Sequence, residues 1–194
     1  YQDGSYSLFD EDFLSSEYPL AYEYLVNNKR KLEERKQFTK WFSYSAARNL
    51  RNHSHSDILI PLLANKGLFA FTPKDDKYTL MAGGGFSITM KSNLIDKRYL
   101  LAILNSKLIF HILYRMSNKF SGGYITCTKQ YVENLPIRFS EELQDELVSL
   151  VDKRLSINCT PLEISKIEHS IDQLVYKIYE LSYQEIELIE KELI

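Results

Sequence analysis

The sequence predicts an α+β fold, in which a small, twisted, mostly antiparallel sheet packs on a central helix and helices from both ends of the chain flank it. Two observations predict this class. Apolar residues recur at three- and four-residue steps near both ends and between residues 96 and 116, as in helices that bury one face. Between residues 58 and 90 the apolar runs are short and separated by turn residues, which is typical of strands. A chain of 194 residues is long enough to bury such a core.

The central helix is predicted over residues 96–116. Its apolar stripe contains Tyr99, Leu100, Ile103, Leu104, Leu108, Ile112, Leu113 and Met116. Asp96 precedes the stripe as a candidate N-cap, and Arg115 lies in the last turn, where the helix dipole favours a cation. We expect this single helix to cover one face of the sheet.

The N-terminal part is predicted to contain one long helix. Residues 1–16 show no clear period and are interpreted as an irregular, acidic lead-in. A helix from Glu17 to Lys36 follows, with Pro19 in its first turn, where a missing N–H costs nothing. Residues 17–139 would form the main domain, and this helix would lead into it.

The strands of the sheet are predicted at Ile58–Leu63, Leu68–Phe71, Tyr78–Met81, Phe86–Met90 and Tyr124–Thr128. Gly83–Gly85 could be a phosphate-binding loop, because glycine lets backbone amides approach an anion. Such a loop continues into a helix, whereas strand alternation follows these glycines. A hairpin turn or a bulge is therefore favoured.

The C-terminal segment, residues 140–194, is predicted to be helical. The candidate N-caps are Ser140, Thr160 and Ser182. The first helix would end near Leu155 and the second near Leu181. The second has Pro161 at its first position and Glu163 as the partner of a capping box. The apolar stripes predict packing on the domain or on a catalytic domain that is missing from these residues.

Several classes of site are absent from the sequence. His53 and His55 have only Asp57 beside them, so a polar loop is favoured over a metal site. No Ser/His/Asp or Cys/His grouping, no tetrapeptide that would hold a flipped adenine and no glycine-rich S-adenosylmethionine loop can be identified. We therefore expect no active site, no metal and no cofactor within these residues.

The cellular setting is predicted from two further features. No apolar run reaches the roughly 18–20 residues that a membrane span needs, so no membrane partner is expected. The two cysteines, Cys127 and Cys159, form no disulfide framework, which favours a reducing cytoplasm. The chain begins with tyrosine rather than methionine, which suggests a fragment of a longer protein.

Charge is segregated along the sequence, although the net charge is only −2. Residues 27–55 and residues 97–131 each carry a net charge of +6, whereas residues 1–26 carry −6 and residues 140–194 carry −8. Basic stretches of this kind are expected where a protein meets the phosphates of a nucleic acid. The alternative is that these side chains only form solvated helix faces.

The first candidate interface with DNA lies after the N-terminal helix. Arginine is the usual reader of guanine edges in the major groove. The candidate contacts here are Lys40, Tyr44, Arg48 and Arg51. Trp41 is interpreted as a packing residue, and an ion pair of Arg48 with a nearby acid is the alternative to base recognition.

The second candidate interface follows the central helix. Polar side chains alternate along an extended run after a Gly-Gly turn, and lysines flank this run. Such a ribbon can enter a groove while the lysines contact phosphates. The candidate contacts are Lys119, Tyr124, Thr126, Thr128 and Lys129. A plain surface hairpin is the alternative.

Three runs in the centre of the chain carry a family resemblance: LLAILNSKLIFHILYR, SGGYIT and ENLPI. Upstream, YPLAYEYLVNNKRKLEERK resembles the lead-in helix of the same family, and IDQLVYKIYELSYQEIELIE resembles its closing helices. In this order the runs resemble the TaqI-like C-terminal specificity (target recognition) domain of DNA adenine-N6 methyltransferases and type IIG restriction–modification enzymes. The specificity subunits of type I restriction systems are relatives of this family.

The resemblance implies sequence-specific recognition of duplex DNA on behalf of a methyltransferase domain upstream in the same chain, in a bacterial or archaeal cytoplasm. The parent chain would use S-adenosylmethionine, and Mg²⁺ if an endonuclease is fused to it, whereas the fragment itself would be no enzyme. A first alternative is half of a type I specificity subunit. A second, of another class, is a helical protein-interaction module that does not bind DNA.

Overall fold

The computed structural model describes residues 7–45, 56–72, 85–156 and 160–192. The chain divides into two compact units, residues 1–54 and residues 55–194. The described part of the first unit is helical, and the second unit combines small antiparallel sheets with helices. The predicted α+β class is therefore confirmed.

Short helices build the described part of the first unit: α1 (Glu11–Glu17), α2 (Pro19–Asn27) and α3 (Lys29–Glu33). The prediction of an irregular lead-in up to residue 16 is wrong for α1. The Asp10 carboxylate caps this helix by accepting a hydrogen bond from the Phe13 N–H at 2.7 Å.

The long helix predicted from Glu17 to Lys36 is interrupted twice. Tyr18 leaves the helical conformation because the ring of the following Pro19 disfavours it. Asn28 ends α2, and its side-chain amide donates to the Tyr24 carbonyl at 2.8 Å, a bond that competes with the helical backbone.

Trp41 packs inside the first unit. Its indole N–H donates to the Glu11 carboxylate at 3.2 Å, and its ring centre lies 6.3 Å from that of Tyr22. The Arg35 guanidinium donates to three backbone carbonyl oxygens, those of Leu32, Trp41 and Ser43, at 2.7–2.9 Å. An arginine of the basic stretch therefore holds the turn after α3.

The described strands of the second unit are β1 (Ile58–Pro61), β2 (Leu63–Ala64), β3 (Ala70–Phe71), β4 (Gly85–Ile88) and β5 (Ile125–Thr126). β1 lies between β3 and β4 in one antiparallel sheet, and β2 pairs with β5 in another. The strand predicted over residues 58–63 is thus shared between two sheets, because the chain bends at Leu62. The predicted strand Tyr78–Met81 and the turn at Gly83 and Gly84 lie outside the described residues.

The predicted central helix is two helices, α4 (Lys97–Asn105) and α5 (Lys107–Met116). Ser106 has extended backbone between them, with a ψ of 153°. Its hydroxyl donates to the Ile103 carbonyl at 2.7 Å and accepts from the Ile109 N–H at 3.3 Å. One serine therefore ends the first helix and caps the second.

The later helices are α6 (Lys129–Val132), α7 (Glu141–Leu155), α8 (Pro161–Ile178) and α9 (Tyr183–Glu192). The predicted caps are confirmed, because a backbone N–H of the first turn donates to the side chain of each of Asp96, Ser140, Thr160 and Ser182. Thr160 and Glu163 form the predicted capping box. α8 ends at Ile178, three residues before the predicted end.

One core joins both sheets of the second unit to its helices. α7 packs on α4 and α8, and α5 packs on α8 and α9. The most deeply buried side chains include Ile58, Tyr99, Ile103, Ile109, Leu113, Ile125, Leu147 and Val175. The C-terminal helices therefore share a core with the central helices and with β5, which positions the segment after α5.

Candidate nucleic-acid interface

Residues 118–128 form a narrow extended segment that we call the 118–128 ribbon. Residues 118–120 run antiparallel to residues 124–126: the Phe120 N–H donates to the Tyr124 carbonyl at 2.7 Å, and the Thr126 N–H donates to the Asn118 carbonyl at 3.1 Å. A 3-10 turn, Ser121–Gly123, joins the two arms. Its glycines have φ angles of 75° and 74°, in the left-handed region that side chains disfavour.

The 118–128 ribbon is anchored in the core on one side. Ile125 and Cys127 are 0% and 1% exposed. β5 pairs with β2, and the Cys127 N–H donates to the Leu62 carbonyl at 2.9 Å. Burial raises the pKa of the Cys127 thiol to about 11, so this cysteine is a packing residue and not a thiolate nucleophile.

The opposite side of the 118–128 ribbon carries Tyr124, Thr126 and Thr128, because side chains alternate along an extended chain. Tyr124 is exposed, and the two threonines are half-buried. The hydroxyl oxygens of both threonines are turned away from solvent and have no hydrogen-bond partner among the described residues. A buried hydroxyl without a partner is unfavourable, so either threonine would be stabilised by a hydrogen bond that a bound molecule supplies.

The strand predicted over Tyr124–Thr128 is shorter than expected. It ends at Thr126, and Thr128 is the residue before α6. Lys129 is the first residue of α6 rather than the end of a strand, and its ammonium lies 3.7 Å from the carboxylate of Glu133, one turn later. The helical spacing brings this exposed pair together.

The charges that the sequence separates come together in the fold. Five cations of residues 97–131 have carboxylate partners: Lys97 with Asp57, Arg98 with Asp96 and Asp152, Lys107 with Glu190, Arg115 with Glu192 and Lys129 with Glu133. These ion pairs reduce the cationic character of the stretch. Within the described ranges the sixth cation, Lys119, has no carboxylate partner, and its ammonium lies 4.1 Å from the centre of the Tyr114 ring.

The remaining candidate residues belong to the first unit. The Lys40 ammonium donates to the Phe9 carbonyl at 2.9 Å and lies 5.5 Å from the centre of the Phe42 ring. Tyr44 is 79% exposed. Arg48 and Arg51 lie outside the described residues.

A separate cleft of about 900 Å³ lies in the second unit, between residues 65–71 and helices α4, α5, α7 and α8. Its lining is mostly apolar, with Leu101, Phe110 and Ile171 among the residues that form it. Asp172 also lines the cleft, and burial raises the pKa of its carboxyl to about 6.

The described part of the chain shows neither a metal site nor a membrane-spanning helix. It holds no group of three or more His, Cys, Asp or Glu side chains arranged to bind a metal ion, and the predicted loop residues His53 and His55 lie outside it. None of its helices is both long and apolar enough to cross a membrane.

Residues 14–137 match the sequence model of the TaqI-like C-terminal specificity domain. The type II methyltransferase M.MjaIV of Methanocaldococcus jannaschii is similar to this chain, with 28% identity over 176 residues. The match covers 87% of this chain and 58% of the relative, so the chain spans little more than half the length of that protein. The 118–128 ribbon lies inside the region that the family model matches.

Proposed function

Because this chain belongs to the family of TaqI-like C-terminal specificity domains, we propose that it recognises a specific sequence in duplex DNA. It does so on behalf of a DNA adenine-N6 methyltransferase or a fused restriction–modification enzyme. Phosphate contacts would fix the position of the chain on the duplex, and contacts to base edges would select the sequence.

The parent protein supplies the chemistry in this proposal. A methyltransferase domain upstream in the same chain would bind S-adenosylmethionine, and Mg²⁺ would serve an endonuclease where one is fused. In this proposal the 194 residues themselves would be no enzyme, and the protein would act in a bacterial or archaeal cytoplasm. The likeness to M.MjaIV, which is named a type II methyltransferase, supports this assignment.

The observation that carries the proposal is the construction of the 118–128 ribbon. One side is fixed in the core by Ile125 and Cys127, and the other side presents Tyr124, Thr126 and Thr128. Two hydroxyl groups without a partner among the described residues, and a lysine without a carboxylate partner there, suit a DNA groove, because base edges offer hydrogen-bond partners and phosphates attract the cation.

Each candidate residue has a role in this proposal. Lys119 contacts a phosphate. Thr126 and Thr128 turn their hydroxyls toward base edges, and Tyr124 packs against the sugars and bases that line the groove. Arg48 and Arg51 are assigned to base edges. The cations that already have protein partners, Lys40 and Lys129, would contribute more weakly, because a DNA contact must replace an existing one.

The proposal is tested by selection from a library of duplexes with a randomised centre, using the 194-residue chain. We expect one short sequence to be enriched. Thr126→Val and Thr128→Val should relax the preference at one or two base pairs. Neither should destabilise the chain, since each removes a hydroxyl without a partner at nearly constant volume.

Thr72→Val is the matched control. The Thr72 hydroxyl donates to the Ser56 carbonyl at 2.6 Å, so its removal should lower stability and leave the selected sequence unchanged. Failure of the chain to enrich any sequence would contradict the proposal and favour a protein-interaction module. Enrichment of one part of a two-part site would favour the type I specificity subunit.

A further inference from the structure

Phe120 is the side chain of the 118–128 ribbon that sequence reasoning missed. Its ring is 53% exposed, whereas the aromatic side chains Tyr99 and Tyr176 of the same unit are buried in the core. It lies opposite Tyr124, which is 40% exposed, and the two aromatic residues flank the turn. An aromatic residue close to the Gly-Gly pair is the sequence signal that could have pointed to this position.

The backbone holds Phe120 in place. The hydrogen bond of 2.7 Å between its N–H and the Tyr124 carbonyl closes the turn, and Lys119 pairs with the fully buried Ile125 one position away. An exposed ring on a fixed backbone loses little conformational freedom when it binds a partner.

The tip between the two aromatic residues is narrow. A Cβ added to Gly123 would meet no atom within 4 Å, and one added to Gly122 would meet only the Tyr124 ring, at 3.6 Å. Neither glycine is therefore needed for packing. They allow the left-handed backbone of a tight turn, and they keep the end of the 118–128 ribbon free of side chains that would block close approach.

We propose that Phe120 inserts between two adjacent base pairs of the bound duplex and partly unstacks them, with Tyr124 lying beside it in the groove. This inference rests on the proposed function. The flat apolar faces of two adjacent base pairs become accessible when the step between them opens, and phosphates flank that step. This suits the exposed ring of Phe120 with Lys119 as its neighbour in the chain, because the Lys119 ammonium has no carboxylate partner among the described residues and lies only over the Tyr114 ring. Apolar side chains that enter base steps in this way kink the duplex, which adds a preference for deformable steps to the direct contacts.

The test uses the 194-residue chain and duplexes of the enriched sequence, with 2-aminopurine placed at one position at a time. Fluorescence of this base rises when it loses a stacking neighbour. We expect the wild-type chain to raise the signal at one base step. Phe120→Ala should abolish that rise and weaken binding about tenfold, whereas Phe120→Trp should retain both.

Leu94→Ala is the control for loss of an exposed apolar side chain, since Leu94 is 81% exposed on a different segment, and it should change neither the fluorescence nor the affinity. If the wild-type chain binds the duplex without a rise at any position, or if Phe120→Ala keeps the rise, the insertion is wrong and the proposed function stands. If the wild-type chain binds no duplex, the proposed function and the insertion both fail.

Discussion

At the scale of single residues, the most unusual group in the second unit is the Asp172 carboxyl. It is 5% exposed and accepts a hydrogen bond from the Lys107 N–H, at the first position of α5, at 2.9 Å. Its pKa is raised to about 6, mainly by burial and also by the nearby Glu190, while the bond from Lys107 and the nearby His169 act against this shift. Asp172 thus links α8 to the start of α5, although burial of its carboxylate loses solvation free energy.

Stability should depend on pH through this carboxyl. Its pKa is higher in the folded chain than its ordinary value of 3.8, so folding takes up a proton between about pH 4 and pH 6. Stability therefore falls as the pH rises through this window. Asp172→Asn keeps an oxygen acceptor and removes the charge, and we expect it to stabilise the chain by about 1–3 kcal/mol at pH 7 and not at pH 4.

Urea denaturation at both pH values measures this effect. Asp145→Asn, at an exposed position of α7, is the control and should show no comparable dependence on pH. An equal gain from Asp172→Asn at pH 4 and pH 7 would mean that the charge of this carboxyl is not responsible.

At the scale of elements, local signals predicted the starts of the later helices, whereas the break between α4 and α5 also depends on a tertiary contact. Ser140, Thr160 and Ser182 could be recognised because a cap and its partner lie within four residues. The break at Ser106 could not, because the apolar stripe continues across it and a carboxylate 65 residues away satisfies the first amide of α5. The helix after Asp10 was missed because α1 has only seven residues, too few for a visible period.

The end of α8 offers a test at this scale. Glu180 has a φ of 56°, and the bonds from the Glu180 N–H to the Lys177 carbonyl and from the Leu181 N–H to the Tyr176 carbonyl form a Schellman motif. This motif prefers glycine, since a side chain in left-handed backbone costs roughly 1–2 kcal/mol. We expect Glu180→Gly to be about 1 kcal/mol more stable than Glu180→Ala.

The alanine variant is the proper reference, because both substitutions remove the exposed ion pair of Glu180 with Arg138 and only glycine relieves the backbone. Thermal or urea unfolding of the two variants measures this difference in stability. A glycine variant that is no more stable than the alanine variant would show that the left-handed turn is not strained.

At the scale of the whole molecule, the distribution of charge could not be predicted from the sequence. Lys97 bonds Asp57 over 40 residues, Arg115 bonds Glu192 over 77 and Lys107 bonds Glu190 over 83. These charges come together because α5 packs on α9 and because Asp57, directly before β1, lies near the start of α4. A count of charges along the chain therefore overestimates the cationic surface of the second unit.

The candidate interface could be predicted in part. The alternation of residues 124–128 identified the side of the 118–128 ribbon that faces away from the core, because strand period is local. The helical position of Lys129 was missed, since α6 begins only three residues after the end of the strand at Thr126. Phe120 was passed over because an aromatic residue is ordinarily interpreted as part of a core.

Contact between the 118–128 ribbon and duplex DNA is tested most directly by the way in which binding affinity depends on salt concentration. Binding of the enriched duplex by the wild-type chain, by Lys119→Ala and by Lys166→Ala would be measured at several salt concentrations. Lys166 lies on the exposed side of α8 and serves as the charge-matched control.

The logarithm of the association constant falls with the logarithm of the salt concentration. Each phosphate contact that is lost should make this negative slope shallower by about one. We predict this loss for Lys119→Ala and a wild-type slope for Lys166→Ala. Because Lys119→Ala also removes the contact with the Tyr114 ring, binding is measured at a temperature at which the melting curve shows both variants to be folded. Identical slopes for the two variants, or binding that does not depend on salt, would contradict the placement of the 118–128 ribbon on DNA.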